Sequence, residues 1–481
     1  MKFSKLWTTS AMALILSACA SLPVDDNELY SFISVNEAWQ ASNEQPFSVE
    51  NGWLDDLQMT ELSNFVDEVL IKNPNYNEVA LRMQAVGNTA DAAGGRLLPR
   101  VGGSFSSSRS DGVPSPLNNF SVGLDASWEV DVWGRLSATA AAAKANYQIA
   151  EYDFYGARLS LAAQVTQGWF DVIESKQQWD LSIRTVENYE RATKIIRNRF
   201  ERGLSSGLDL RLSITNLEAA KSTEKQREAS YRQVVRKLEL FVGQYPAATM
   251  IVSGEIPNNL QDIPVGVPLD ILERRPDLQS AKAKLYASGY RVDAAEKAML
   301  PSISITSRGS NTTEAFGELL KFDNVFWNIV GGITQPIFQG GQLRYAAKAE
   351  QLNFEAQKQN YATTLLRAFR EVEDAIDKDR SLAGRVEHTE LAAQNAVAAE
   401  EVALTQYSQG LIRISTLLQS QRTSLTQQSQ LLNIKKQRIN NRISLYLSLG
   451  GDFRSVTETE IQENENLNNN MYQSNSKSSS S

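Results

Sequence analysis

The sequence contains one structural unit twice, and this duplication constrains the fold more than any other feature. Two proline-containing pairs recur at a separation of 202 residues, and a series of glycine and aromatic positions recurs at 207. The separation changes once, between Pro99 and Gly134, as expected if one connection differs in length between the copies. The matched positions are Asn73-Pro74 with Arg275-Pro276, Leu98-Pro99 with Leu300-Pro301, Gly134 with Gly341, Tyr147 with Phe354, Phe154 with Tyr361, Gly203-Leu204 with Gly410-Leu411, and Gly243 with Gly450. We therefore expect two internal repeats.

Each repeat begins with a predicted helix, over residues 75–97 and 277–299, and proline closes both helices because it cannot continue a helix. Two strands follow. Residues 120–128 alternate strictly between apolar and small or polar side chains, which is typical of a strand with one apolar face. The other strand candidates are residues 101–108, 302–306 and 327–329. The connections within 111–119 and 311–324 hold turn formers, and we expect the five-residue length difference there.

A long helix is predicted next in each repeat, over residues 135–201 and 342–408. Both runs lack proline and are rich in helix formers, so each helix has a length of roughly 100 Å, too long for a compact globule. Apolar residues at seven-residue spacing favour helices packed side by side, either as a tube or as an ordinary buried seam. They are Val165, Val172, Trp179, Val186 and Phe200, then Phe369, Ile376, Ala383, Val397 and Leu404, interrupted by Glu390. Turns at Gly203 and Gly410 reverse the chain into helices 208–243 and 415–449.

The N-terminus has the pattern of an export signal. Lys2 and Lys5 precede a short apolar stretch, which ends in Leu16-Ser17-Ala18-Cys19. This ending resembles the lipobox of bacterial lipoproteins, in which the cysteine is acylated and becomes the first mature residue. Cys19 is the only cysteine, so the chain forms no internal disulfide, and a plain signal with a chance cysteine is the alternative. The neighbours Ala20 and Ser21 favour sorting to the outer membrane.

The strands indicate a membrane protein that several chains build together. Strands of roughly nine residues can cross an outer membrane, but four strands cannot close a barrel. Because lipid does not tolerate an open sheet edge, several chains must contribute. Three chains with four strands each make the smallest plausible barrel with a lumen, of about twelve strands. The long helices would continue that lumen.

Several motifs together resemble one family. The most specific is the run Val267 to Leu278, which contains Arg275-Pro276-Asp277 near its end and is followed by Leu300-Pro301-Ser302-Ile303. Supporting pieces are Trp53 with Asp55 to Leu57, Asn73-Pro74-Asn75, Asp131-Val132-Trp133-Gly134-Arg135 and Leu449-Gly450-Gly451. The chain resembles the TolC-like outer-membrane efflux factors, in the lipoprotein (NodT-type) branch that serves resistance-nodulation-division (RND) drug pumps. Without the family, Pro276 and Asp277 indicate a helix start.

The resemblance implies an α+β membrane fold in a homotrimer. A shared 12-stranded β-barrel would continue into a long periplasmic α-helical barrel. The implied partners are a periplasmic adaptor (membrane fusion) protein, an inner-membrane RND pump and outer-membrane lipid. The expected segments are the signal peptide 1–18, the anchor, linker and collar segment 19–72, repeat 1 over 73–243, the inter-repeat linker and collar 244–275, repeat 2 over 276–453, and a low-complexity tail 454–481.

The resemblance also assigns roles at the two helix reversals. Gly203, Leu204, Gly410 and Leu411 would form the periplasmic tips to which the adaptor docks. In the family, polar links hold the mouth closed; Asp209 and Tyr407 match those positions, and Arg413 matches with a one-residue displacement. Thr416 and Gln419 stand where the family usually has a ring of acids. The alternative for Asp209 is a helix cap worth roughly 1 kcal/mol.

Composition and motifs argue against catalysis and nucleic-acid binding. The net charge is -8, from 56 acidic and 48 basic residues spread along the chain, so no basic face is offered to nucleic acid. The single histidine, His388, has no ligand-type residue pattern around it, and phosphate loops and nucleophile motifs are missing. We expect that the protein is not an enzyme and that it carries no cofactor apart from a covalent lipid on Cys19.

The sequence therefore predicts a passive outer-membrane export conduit for drugs and other small molecules, lipid-anchored and extending into the periplasm. Two alternatives stay open. One is a channel of the same family for type I protein secretion. The other is a periplasmic coiled-coil lipoprotein without a pore, in which the strands would form ordinary solvent-facing hairpins.

Overall fold

The computed structural model describes residues 38–41, 51–111, 117–257, 268–321 and 325–454 of the 481-residue chain. The predicted signal peptide, Cys19 and residues 455–481 of the predicted tail lie outside the described residues. The described chain forms two compact units. The first contains residues 80–154 and 277–365, and the second contains the remaining described residues.

The described helices and strands follow one another in the order that the repeat predicts. They are α1 (Trp53–Asp56), α2 (Thr60–Lys72), α3 (Pro74–Gly94), β1 (Arg100–Ser110), β2 (Leu117–Val130), α4 (Arg135–Glu201), α5 (Gly207–Phe241), α6 (Ile271–Arg274), α7 (Pro276–Lys297), β3 (Ser302–Thr313), β4 (Phe326–Thr334), α8 (Gln342–Gln409) and α9 (Ile414–Ser448). Short 3-10 turns occupy Gly95–Leu97, Pro268–Asp270 and Phe316–Glu318. A helix, two strands, a long helix and a return helix occur twice, over α3 to α5 and over α7 to α9. The predicted internal repeat is therefore confirmed.

The four strands of the first unit form one antiparallel sheet in the order β1-β2-β3-β4. Val122 in β2 lies opposite Phe105 in β1 and Asn311 in β3, and Ile303 in β3 lies opposite Ile333 in β4. Within the described chain, β1 and β4 each pair with a single strand, so the sheet has two open edges. Three strands contain 11, 14 and 12 residues, more than the nine predicted, because ladder pairing continues past the alternating segments.

One face of this sheet is apolar across all four strands. Side chains alternate between the two faces of a strand, and the register places the apolar positions of each strand on the same face. They are Val101, Phe105, Phe120, Val122, Leu124, Ala126, Trp128, Ile303, Ile305, Trp327, Ile329 and Ile333. Several are uncovered within the chain; Val101 and Ile333 are each 73% exposed. The other face carries polar side chains such as Ser104, Asp125 and Arg308. An uncovered apolar face of this extent indicates contact with lipid or another chain.

The two long helices contain 67 and 68 residues, with boundaries within one residue of the predicted ones. Val165, Val172 and Val186 of the predicted seam are buried. Phe200, at the end of the predicted seam, is 42% exposed within the chain, while Ile196 is fully buried. Ile196 packs with Tyr407, Ile414 and Leu417, in a cluster near the second reversal.

The core of the second unit joins segments that are far apart in the sequence. Leu62 and Val66 of α2 pack with Phe170 of α4, Ile256 of the linker and Phe453, and all five belong to one buried cluster. Burial of these side chains stabilises the unit by removing apolar surface from water. The segment before the first repeat, the linker and the end of the second repeat therefore share one hydrophobic core.

The described residues were compared with the requirements of a membrane-spanning helix and of a metal site. Among the described residues, no helix combines the length and the apolarity that crossing a membrane requires. The described residues also contain no group of three or more His, Cys, Asp or Glu side chains placed to hold a metal ion. His388 lies on an exposed face of α8.

Candidate functional site

The two helix reversals have the same backbone geometry. Gly203 after α4 has φ of 73°, and Gly410 after α8 has φ of 81°, a left-handed conformation that glycine adopts without steric cost. In each reversal the next N–H donates to the carbonyl oxygen five residues earlier, at 2.8 Å for Leu204 and 2.9 Å for Leu411. These bonds define a Schellman motif, which satisfies carbonyl groups at the helix end. Local backbone chemistry therefore sets both turns.

Both reversals present apolar side chains to the surroundings. Leu204 is 62% exposed and Leu411 is 69% exposed, and Leu208 at the start of α5 is exposed as well. Burying such side chains against another protein would be favourable. The four predicted tip residues thus lie at turns with exposed leucines, and their role in adaptor docking stays a prediction.

Asp209 lies in the first turn of α5, in a reciprocal capping box with Ser206. The Asp209 N–H donates to Ser206 Oγ at 3.1 Å, and the Ser206 N–H donates to Asp209 Oδ2 at 3.4 Å. Ser205 Oγ also donates to Asp209 Oδ2, at 2.9 Å. A carboxylate near a helix N-terminus is stabilised by the backbone N–H groups and the helix dipole. Asp209 therefore does cap its helix, and a second role at a gate stays a prediction.

Tyr407 is buried just before the second reversal, where it packs with Ile196, Ile414 and Leu417. Its hydroxyl oxygen lies 3.2 Å from Ser205 Oγ. Since Ser205 also bonds Asp209, this serine connects the two predicted gate residues.

An arginine adds a second connection between the reversals. The Arg199 guanidinium carbon lies 5.5 Å from the centre of the Tyr407 ring, within the range of a cation–π contact. Its Nη1 donates to the Ser408 carbonyl oxygen at 2.8 Å, and its Nη2 donates to the Leu204 carbonyl oxygen at 3.4 Å. The end of α4 is thus bonded to the end of α8.

The structure does not bring Arg413 into this network. Arg413 is the N-cap residue of α9, and its exposed side chain forms no hydrogen bond or ion pair with any described residue. Thr416 and Gln419 are also exposed, and Gln419 Nε2 donates to Thr423 Oγ1 at 3.4 Å. Within the described chain, Asp209 and Arg413 therefore form no link, and a link between neighbouring chains stays a prediction.

Three residues of this network were missed by the sequence analysis: Arg199, Ser205 and Ser206. The spacing of Ser206 and Asp209 is a capping-box signal that marks a helix start from sequence alone, so the cap could have been found. The contacts of Ser205 and Arg199 with the second reversal carry no such local signal, because they join residues about two hundred positions apart.

Comparison with known proteins assigns the chain to a family. The model of the family described as outer membrane efflux protein matches residues 65–244 and 267–451, with one match on each repeat. The chain belongs to the outer membrane efflux protein family. The efflux protein is 27% identical over 415 residues to "Cation efflux system protein CusC" of Escherichia coli O6:H1, covering 84% of this chain and 88% of the relative.

Two further comparisons extend this result. The efflux protein is 24% identical to "Probable outer membrane lipoprotein SilC" of Salmonella typhimurium, covering 91% of this chain and 96% of the relative. The solved structure of the Campylobacter jejuni CmeC outer membrane channel superposes with a TM-score of 0.82 at 24% identity, covering 90% of this chain and 95% of that one. The predicted fold class is confirmed, with four strands and two helical repeats of the outer-membrane efflux channels. As a family member, the chain is an outer-membrane efflux channel protein.

Proposed function

We propose that three copies of this efflux protein close a shared 12-stranded β-barrel in the outer membrane. The observation that carries this proposal is the continuous apolar face of a four-stranded sheet that has two open edges. Lipid does not tolerate unpaired backbone groups, so neighbouring copies must pair with β1 and β4. The apolar face then contacts lipid, and the polar face lines a wet lumen.

The barrel would serve as the outer-membrane part of a tripartite RND-type efflux pump. A periplasmic adaptor would dock at the exposed leucines of the two reversals, and an inner-membrane RND pump would supply the energy. The conduit itself carries out no chemical step and uses no cofactor. Transported molecules would diffuse through the lumen.

The proposed substrates are drugs and other small molecules. The relative CusC is named for cation efflux, which adds metal cations to the substrates to be tested. In a strain that lacks its own channel, expression of this protein with its adaptor and pump should lower susceptibility to at least one such compound. Secretion of a protein substrate, with unchanged drug and metal susceptibility, would instead support the type I secretion alternative.

The assembly is tested by extraction in mild detergent followed by planar-bilayer recording. We expect a stable trimer that conducts ions. A monomer that does not conduct, from preparations in which helix content is native by circular dichroism, would support the pore-free structural lipoprotein instead.

Acylation of Cys19 would anchor the N-terminus to the inner leaflet of the outer membrane. The pattern around Cys19 supports this proposal, as does the lipoprotein name of SilC. Cys19→Ser should abolish fatty-acid labelling while some trimer remains in the outer membrane, because the barrel still spans the bilayer. Persistent labelling of the variant would contradict the anchor assignment.

A further inference from the structure

A cavity of about 680 Å³ lies within the second unit, between α4, α5 and α9, with one contribution from α8. Three arginines line it, one from each of three helices: Arg227 of α5, Arg385 of α8 and Arg422 of α9. Amide and hydroxyl side chains such as Gln178 and Asn216 line it too. All of the lining residues belong to the second unit.

The charge in this cavity is opposite to that of the protein as a whole. The chain carries 56 acidic and 48 basic residues, yet no Asp or Glu lines the cavity. Arg227 and Arg385 make no ion pair or hydrogen bond with any described residue. Arg422 donates to Asn216 Oδ1 at 3.2 Å, which leaves most of its five N–H groups available. Three arginines therefore line one cavity whose lining contains no carboxylate side chain.

Unpaired guanidinium groups around a cavity favour an anionic ligand. The planar fork of arginine matches a carboxylate or phosphate with two parallel hydrogen bonds, and such charge-assisted bonds are the strong ones. The volume lies in the range of small-molecule sites, about 300 to 1,000 Å³. Uncharged polar groups in the lining can accept or donate the remaining hydrogen bonds of a polar ligand.

We propose that this cavity binds a small organic polyanion that carries two or more carboxylate or phosphate groups. The arginines engage the acidic groups, and the amide and hydroxyl side chains fix the remainder of the molecule. Because three arginines come from α5, α8 and α9, the bound anion ties these helices together and stabilises the folded chain. The inference concerns a site on the protein and does not depend on what the conduit exports.

The test uses the purified full-length protein in detergent, with citrate as the first probe and fructose 1,6-bisphosphate as the second. Isothermal titration should show saturable binding of at least one probe, and that probe should raise the unfolding temperature. Triethyl citrate, which has the same skeleton without charge, should do neither. The double variant Arg227→Gln with Arg385→Gln should weaken binding at least about tenfold, since each lost charge-assisted contact is worth about a factor of ten.

The matched control is Arg236→Gln with Arg367→Gln. Like the cavity variant, it removes one arginine charge from α5 and one from α8. Arg236 and Arg367 are exposed and do not line the cavity, so anion binding should stay unchanged. Arg227→Lys with Arg385→Lys keeps both charges without the fork, and it should bind with intermediate affinity in a correctly assembled protein.

Three outcomes would overturn the proposal. The first is the absence of binding by either probe to the wild-type protein. The second is equal weakening in the cavity variant and its matched control, which would indicate a general charge effect. The third is loss of the trimer in the lysine variant with no change in anion affinity, which would show that these arginines meet carboxylates of a second copy.

Discussion

The hydroxyl oxygens of Ser205 and Tyr407 lie 3.2 Å apart, although the two residues are separated by most of the second repeat and the linker. This contact joins the loop after the first long helix to the last turn of the second. Ser205 also donates to the Asp209 carboxylate, so one serine couples both reversals to the cap of α5. Opening of the proposed mouth by separation of the reversals would break this contact.

Tyr407→Phe tests the contribution of this hydrogen bond. The variant keeps the buried ring and its contact with Arg199 but removes the hydroxyl group. A neutral hydrogen bond contributes about 1 kcal/mol, so we expect the open probability of single channels in planar bilayers to rise about fivefold. Tyr245→Phe, at an exposed tyrosine, serves as the control and should leave gating unchanged.

Asp209→Ala combined with Arg413→Ala tests the proposed link between neighbouring chains. We expect higher single-channel conductance, and greater sensitivity of cells to large antibiotics that the outer membrane normally excludes, because threefold symmetry repeats the lost link. Ser206→Ala is the matched control, since it removes the capping bond, worth about 1 kcal/mol, and keeps both charges. Equal conductance of the double variant and wild type would leave Asp209 with the capping role alone.

Glu239 makes part of the stability dependent on pH. Its buried carboxylate accepts the N–H groups of Ala248, Thr249 and Met250 at 2.7, 2.6 and 3.0 Å. Burial alone would raise the pKa of Glu239, but the three backbone N–H groups outweigh it and hold the pKa below the ordinary 4.5. A lowered carboxyl pKa contributes stability that is fully present above pH 4.5 and is lost as the pH falls through the folded-state pKa.

Glu239→Gln should therefore lower the free energy of unfolding at neutral pH by about 2 kcal/mol, as expected for hydrogen bonds to a charged group. The difference from wild type should shrink as the pH is lowered below 4.5, because Glu239 then takes up a proton in the unfolded chain and, below its lowered folded-state pKa, in the folded protein too. Denaturation at pH 7 and at pH 3.5 in detergent measures both values. A difference that stays constant with pH would contradict this role of the carboxylate.

Gly450→Ala should be more disruptive than the same change at its repeat partner Gly243. Both glycines have φ near 70°, so both variants incur the strain of a left-handed alanine, about 1 kcal/mol. At Gly450 the new Cβ would also lie 2.8 Å from the Arg274 carbonyl carbon, whereas at Gly243 the nearest atom is at 3.5 Å. We expect an additional loss of about 1–3 kcal/mol for Gly450→Ala, measured by chemical denaturation. Equal losses would show that the backbone near Arg274 moves freely.

The segment 38–41 is bound to α8 by a carboxylate. The N–H groups of Gln40 and Ala41 donate to the two carboxylate oxygens of Glu373 at 2.9 and 2.8 Å, while buried Trp39 packs edge-on against Phe369. Glu373→Ala should increase amide hydrogen exchange at residues 40 and 41 about tenfold or more. Glu387→Ala, at an exposed glutamate of the same helix, is the control. Unchanged exchange in Glu373→Ala would mean that Trp39 and the hydrogen bond from Arg380 to the Ala41 carbonyl oxygen hold the segment without the carboxylate.

Local patterns in the sequence determined the order of the elements and the boundaries of the two long helices. Proline and glycine punctuate the repeats, and the alternation over 120–128 identifies the face of β2 that is apolar in the sheet. These signals act over a few residues, through φ, ψ and side-chain direction, so they can be read without the fold. The family resemblance also supplied Asp209 and Tyr407, and the structure places both at the reversals.

Only the tertiary structure decided which distant residues meet. Ser205 contacts Tyr407, and the Glu239 carboxylate accepts hydrogen bonds from backbone N–H groups of the linker. Glu373 binds segment 38–41, and three arginines from different helices line one cavity. Each contact depends on how each helix is rotated about its axis relative to its neighbours. A seven-residue pattern does not determine that rotation over a 67-residue helix, because a row of residues at that spacing drifts around a straight helix by about 20° per heptad.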